Sequence, residues 1–389
     1  MKWTPAILSI IVLGLVGLGI AVQASISNVQ GINLNGDPYH FLLQQILYFL
    51  IALVICIAIA VINPEFWARR GVIVLACIAI LIALASVHIP GLGRSTKGSA
   101  RWIYFMGVSL QPSEFVKLGA ILVMAWWQSR PGCINEDFKQ GALVPCIGLG
   151  VVALGFLSQP DFGSVVMLGA VNVTIMLVAG VRIRHLMPFA IVGLVALVVL
   201  IANDPERRSR VTSVLHLNRD KTEKIDEGDS YQLEQSLAAM AVGGKFGVGF
   251  GESVFKQSYL PENHTDFIFS MICEELGFVV AISCIFLFAA FMWCGLLIAI
   301  NAPSAFTRLL AFGMTIHIGL SAGVNLGVVT GLFPTKGLAL PFLSYGGSSL
   351  VSSLIAVGFL LAIGWRCPSR ARRQRQNYLS ENERKVWVS

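Results

Sequence analysis

The chain has 389 residues, of which 56% are hydrophobic and only 13% charged, against roughly 25% charged in a soluble domain. That composition excludes a disordered chain, a collagen-like fibre and an ordinary soluble enzyme. The net charge of +7 would by itself admit a nucleic-acid partner, but residues 203–266 hold 8 basic and 11 acidic residues and residues 367–389 hold 6 and 2.

A membrane-crossing helix needs about 20 mostly apolar residues. On that measure the sequence predicts an all-α polytopic membrane protein with ten transmembrane helices. They fall near 5–24, 39–62, 71–88, 113–128, 141–157, 162–180, 185–202, 268–300, 308–330 and 344–366. The first is read as a retained helix, since no clear small-residue cleavage site follows it. Residues 1–366 then form one transmembrane unit, with a large loop over 202–267 between the seventh and eighth helices. Residues 367–389 form a basic tail.

Orientation follows from where the basic residues sit. The short loops on one side carry Arg69, Arg70, Arg130, Lys139, Arg182, Arg184 and Arg308, and the tail adds Arg370, Arg372, Arg373 and Arg375. The positive-inside rule makes that side, with both termini, cytoplasmic. The 202–267 loop is then extracytoplasmic, and its charged run from Arg207 to Asp229 reads as a solvated loop with some helix. The tail cluster directly follows a span, so anionic lipid suits it better than nucleic acid. Residues 89–111 break the rule, because Arg94, Lys97 and Arg101 fall on the outer side. Such charges suit an anionic ligand or neighbouring headgroups. The eight cysteines show no C-x-x-C pair and no zinc spacing, so they read as reduced packing residues.

Ionisable residues inside spans point to function. Glu114 and Lys117, at i and i+3 after Pro112, lie on one face at the start of the fourth helix. They read as a structural ion pair, a substrate contact, or both. Asp161, between Pro160 and Gly163, reads as a helix cap or a functional carboxylate. The densest cluster is Tyr259 to Phe269 with Glu274 and Glu275 behind it. A helix over 268–300 would be about 50 Å long, against a hydrocarbon core of about 30 Å. It is therefore expected to project outward or break near Gly277. Glu262, His264 and Asp266 would then cluster at the outer surface. Asp266 would lie where a helix N-terminus favours an ionised carboxylate, as a general base or a plain cap. The run Gly243 to Gly251 matches neither a P-loop nor a dinucleotide fingerprint and serves to bend a re-entering chain. Gly331 to Ser349, rich in Pro and Gly, reads as a re-entrant or ordered non-helical segment.

Five ordered segments together carry a resemblance. They are Arg101-Trp-Ile with Gln111-Pro-Ser-Glu-Phe-Val-Lys117, Gln159-Pro-Asp-Phe-Gly163, Tyr231-Gln to Gly251, Leu260 to Gly277, and Gly331 to Ser349. The chain resembles the SEDS family (shape, elongation, division and sporulation) from about residue 40 to 366. Pro334-Thr-Lys-Gly-Leu and Lys256 before Tyr259-Leu-Pro-Glu are similar to the division branch, FtsW; the elongation branch, RodA, is the alternative. Asn263, Ser164 and Phe333 differ from the commonest family residues, and none replaces a proposed catalytic group.

The resemblance implies a peptidoglycan glycosyltransferase of the inner membrane, active at the division septum, that polymerises lipid II at the outer face. Its implied partners are a class B penicillin-binding protein transpeptidase (FtsI-like) and other divisome proteins, in contact with membrane lipid and not with nucleic acid. Asp266 matches the family's catalytic aspartate. Arg94, Lys97, Arg101, Glu114, Lys117, Glu262, His264, Lys336 and Ser344 are the substrate-binding candidates. Transfer from a diphosphate needs charge stabilisation on the leaving group. The basic residues, a divalent cation such as Mg or Mn, or both would supply it, although no metal-ligand spacing is visible. The same features suit two other readings, a lipid II flippase and a scaffold that recruits the transpeptidase.

Overall fold

The computed structural model describes residues 3–35, 39–89, 93–96, 99–105, 108–204, 208, 229–255, 265–334 and 337–367. Lys97, Glu262, His264 and Lys336 lie outside them, as does nearly all of the charged run from Arg207 to Asp229. The elements are α1 (Thr4–Asn35), α2 (His40–Val61), α3 (Arg70–Ser86), strands β1 (Gly93–Thr96), β2 (Ser99–Phe105) and β3 (Val108–Leu110), α4 (Pro112–Ser129), α5 (Val144–Leu157), α6 (Phe162–Val178) and α7 (Ile183–Ala202). They continue with α8 (Asp229–Gly243), α9 (Ile268–Ile300), α10 (Ala305–Val329) and α11 (Gly347–Gly364).

A helix stands at each of the ten expected places, but not all ten are spans by length and composition. Seven are long and apolar enough to cross a membrane: Thr4–Ser27, His40–Val61, Phe138–Leu157, Ile183–Ala202, Ile268–Ile300, Ala305–Val329 and Gly347–Gly364. The expected count of ten is therefore corrected to seven. α3 and α6 have only 17 residues each, about 26 Å of helix. α4 has 18 residues and carries Glu114 and Lys117 among them, which lowers its apolarity. The chain is an all-α, multi-pass membrane protein with one small β element. That element lies where the sequence suggested a loop, over 89–111. β1, β2 and β3 form an antiparallel sheet in that order, with Arg94 opposite Trp102 and Ile103 opposite Leu110.

Local sequence explains the helix starts. Pro112 opens α4, where its missing amide is no loss. Asp161 caps α6, accepting from the Ser164 amide at 3.2 Å and its hydroxyl at 2.6 Å. Ser304 and Thr307 form a reciprocal capping box on α10. α11 is the central helix, buried along nearly its whole length and packed on α2, α4 and α10. α7 is its opposite: Ile191, Val192, Leu194 and Val195 are exposed, as a lipid-facing helix requires.

The expected long loop contains a packed element. α8 lies against α9 and α10, with Ser236 buried and bonded to Ser270 and to the Val329 carbonyl. α9 breaks at Gly277, whose φ of 80° and ψ of 177° only glycine adopts readily. The glycine run after α8 fits into that break. A Cβ on Gly277 would lie 2.3 Å from the Gly247 amide nitrogen, and one on Gly247 would lie 2.2 Å from the Glu275 carbonyl oxygen.

Candidate active site

Asp266 stands at the mouth of α9, one residue before the N-cap Phe267. It is partly exposed. Two buried side chains hold its backbone. Asn325 of α10 donates through Nδ2 to the Asp266 carbonyl at 2.8 Å and to the Leu338 carbonyl at 2.7 Å. Ser344 donates to the Thr265 carbonyl at 2.5 Å and accepts from the Leu340 amide at 2.8 Å. Residues 265–266 are thus stitched to the segment 337–346, which is non-helical, one of the two forms expected from its Pro and Gly content. Its middle, Leu340 to Ser344, is buried, as the rule for non-helical backbone at membrane depth demands. Phe342 is held at φ 68° with its ring against Phe288 and Phe291.

The same segment borders a small cavity of about 10 Å³, lined by Glu114, Lys117, His317, Ser321, Leu338 and Ser353 among others. Glu114 and Lys117 form the expected ion pair at 2.8 Å, almost fully buried. The second carboxylate oxygen of Glu114 accepts from Ser352 at 3.3 Å. At the N-terminal end of α4, the Gln111 amide donates to Ser348 at 2.8 Å. The cavity is therefore polar, and α4, α10, α11 and the non-helical segment build it.

The remaining candidates divide. Arg101, on β2, donates through Nε to the Gln159 carbonyl at 3.2 Å and through its terminal nitrogen to the Pro160 carbonyl. It joins the sheet to the turn between α5 and α6. Gln159 in turn donates to the Leu84 carbonyl at 3.1 Å. Arg94 lies in β1. The structure brings Asp266 and Ser344 together, sets Glu114 and Lys117 on the adjoining cavity, and directs Arg101 at the α5–α6 turn.

Two contributors, Asn325 and His317, escaped sequence reasoning, and two that it flagged, Glu274 and Glu275, take anchoring roles it did not assign. Asn325 and His317 read as isolated polar residues in an apolar helix. Their signal was a spacing: His317, Ser321 and Asn325 recur at i, i+4 and i+8 on one face of α10. Glu274, fully buried, accepts from Ser253 at 2.5 Å and from the Val254 and Phe255 amides at 2.8 and 3.3 Å. Glu275 accepts from Ser25 of α1 at 2.5 Å. These two carboxylates anchor the glycine turn and α1 to the base of the Asp266 helix. Among the described residues no three His, Cys, Asp or Glu side chains converge.

Residues 6–366 match the family model described as "Cell cycle protein", that of FtsW, RodA and SpoVE. The chain belongs to this family. A SEDS relative from Trichlorobacter lovleyi, "Probable peptidoglycan glycosyltransferase FtsW", is 40% identical over 92% of each chain. "Stage V sporulation protein E" of Bacillus subtilis is 37% identical over 93% of this chain and 97% of its own. Among solved structures, a SEDS chain from "Structural coordination of polymerization and crosslinking by a peptidoglycan synthase complex" superposes with a TM-score of 0.73. It is 26% identical, covering 92% of this chain and 96% of that one. The rod shape determining protein RodA of Thermus thermophilus shares the SEDS fold, with a TM-score of 0.64 at 24% identity, over 93% and 97% of the two chains.

Proposed function

We propose that the chain is a peptidoglycan glycosyltransferase of the division branch, polymerising lipid II at the outer face of the inner membrane. The observation that carries this reading is the pinning of the backbone at Asp266, whose carboxylate is partly exposed, beside a non-helical segment that also borders a small polar cavity. Relatives named as probable peptidoglycan glycosyltransferases support it. In this reading both termini are cytoplasmic and 202–267 is extracytoplasmic.

Asp266 takes the proton from the 4-hydroxyl of the acceptor sugar. That oxygen bonds to the anomeric carbon of the donor as the bond from this carbon to the diphosphate oxygen breaks. Undecaprenyl diphosphate leaves and the centre inverts. A base held within hydrogen-bond reach contributes about 100- to 10,000-fold, and it must be held still to do so. Arg94, Lys97, Arg101 and Lys336 supply positive charge for the departing diphosphate. Glu114 and Lys117 shape the cavity beneath, and Glu262 and His264 flank the base in sequence. Ser344 contributes by holding the backbone before Asp266. The partner is a class B transpeptidase of FtsI type at the septum. A synthase complex that couples polymerisation to crosslinking, described for a structural relative, supports such a pairing.

The ion pair buried in the helical frame, Glu114 with Lys117, also favours a second reading, a lipid II flippase. Purified protein with fluorescent lipid II and a partner transpeptidase separates the two. Polymer from the wild type and none from Asp266→Ala supports the glycosyltransferase. Undiminished polymer from Asp266→Ala overturns it. Translocation in liposomes without any polymer favours the flippase.

A further inference from the structure

The Asp266 carboxylate lies against Gly337. A Cβ built on Gly337 would stand 2.9 Å from Oδ2, 3.7 Å from Cγ and 3.9 Å from Oδ1 of Asp266. Its three nearest neighbours are therefore all atoms of that one carboxylate. Gly337 differs in this from Gly247 and Gly277, whose missing side chains would strike backbone. The space a side chain would need is taken by Asp266.

The approach is set by Asn325, which is 1% exposed. One nitrogen, Nδ2, holds the carbonyl of Asp266 at 2.8 Å and that of Leu338, the residue after Gly337, at 2.7 Å. The backbone carbonyls of Asp266 and Leu338 are thus referenced to a single side-chain atom on a long helix. On the neighbouring turn, Ser344 fixes the Thr265 carbonyl. The proposed base is thus located by α10 through its backbone and lies against the 337–346 segment through its carboxylate.

We infer that Gly337, held by Asn325, is a positioning residue for the Asp266 carboxylate. Ordinary contact for a Cβ begins near 3.4 Å, so a methyl at 337 displaces the carboxylate by about half an ångström. A misplacement of about 1 Å costs on the order of 100-fold in rate. The inference rests on the reading of Asp266 as the general base.

The test is a cycle of four proteins: wild type, Gly337→Ala, Asp266→Ala and the double variant. Each is purified full length and assayed with fluorescent lipid II and the partner transpeptidase, and its thermal midpoint is measured. Gly337→Ala is expected to lower kcat about tenfold or more, with KM changed by less than about twofold. Any thermal loss it causes is expected in the wild-type background and not in Asp266→Ala, where the colliding group is gone. A wild-type kcat for Gly337→Ala overturns the inference and leaves Asp266 as the base. So does an equal thermal loss in both backgrounds, which would mark Gly337 as a packing residue. Full polymerisation by Asp266→Ala overturns the base assignment, and the inference with it, before any Gly337 variant is made.

Discussion

Ser344 reaches from the non-helical segment to donate to the Thr265 carbonyl at 2.5 Å, one residue before the proposed base. The same hydroxyl accepts from the Leu340 amide, so it closes its own turn and clasps a second chain. Ser344→Ala removes both bonds and strips the buried Leu340 amide of its acceptor, at a cost of about 1–3 kcal/mol. A lowered thermal midpoint, together with slower polymerisation, is the expected result. A variant as stable as wild type would show that the clasp contributes nothing.

The Glu114–Lys117 pair is largely buried, with Lys117 3% and Glu114 14% exposed. Breaking such a pair by removing one partner costs about 3–5 kcal/mol, whereas replacing both by neutral groups is often tolerated. Glu114→Gln is therefore expected to reduce the folded protein recovered from membranes, and Glu114→Gln with Lys117→Met to restore much of it. Thermal unfolding of the two variants in one detergent makes the comparison. Restored folding without restored polymerisation would show that the pair also serves the substrate.

Most of the helical frame was legible because its apolar runs are long and charge-poor. The break in α9 was legible too, since 33 residues cannot all fit in the hydrocarbon core and Gly277 offered the place. The small sheet was not. Residues 93–110 are short alternating runs broken by Gly and Ser, and neighbouring strands pair only by register. At the site, Asp266 stood out because ionised groups near spans are costly. Asn325 did not, since one amide in an apolar helix does not reveal which two carbonyls it will meet. Gly337 was hidden for a different reason: a requirement for empty space leaves no mark on the residue itself.

Arg101 holds two carbonyls of the α5–α6 turn with its planar fork, a geometry that lysine cannot reproduce. Arg101→Lys and Arg101→Ala are both expected to speed amide exchange over residues 158–164. Lipid II binding measured on the same proteins then separates the turn from any substrate contact. Weaker binding with unchanged exchange would assign Arg101 to the substrate alone.

Gly277→Ala combines a backbone conformation costing about 1–3 kcal/mol for other residues with a Cβ 2.3 Å from the Gly247 nitrogen. Folded protein is expected to fall sharply. Gly14→Ala, where nothing lies within 4 Å, is the matched control and is expected to be neutral or slightly stabilising, since alanine favours helix. Equal yields from both would contradict the tight fit at the break.

The seating of the glycine turn on α9 has a further consequence for how this protein can diversify. Gly244 and Lys245 accept from the Phe278 and Val279 amides at 3.0 and 3.3 Å, and the Val248 and Gly249 amides donate back to Glu274 and Glu275 at 2.9 and 3.2 Å. These four bonds run between backbone groups and ask nothing of most side chains along the turn. The glycines that seat it admit almost no change, since a Cβ on Gly247 or Gly277 would strike backbone, so sequence drift on this stretch is confined to the residues between them.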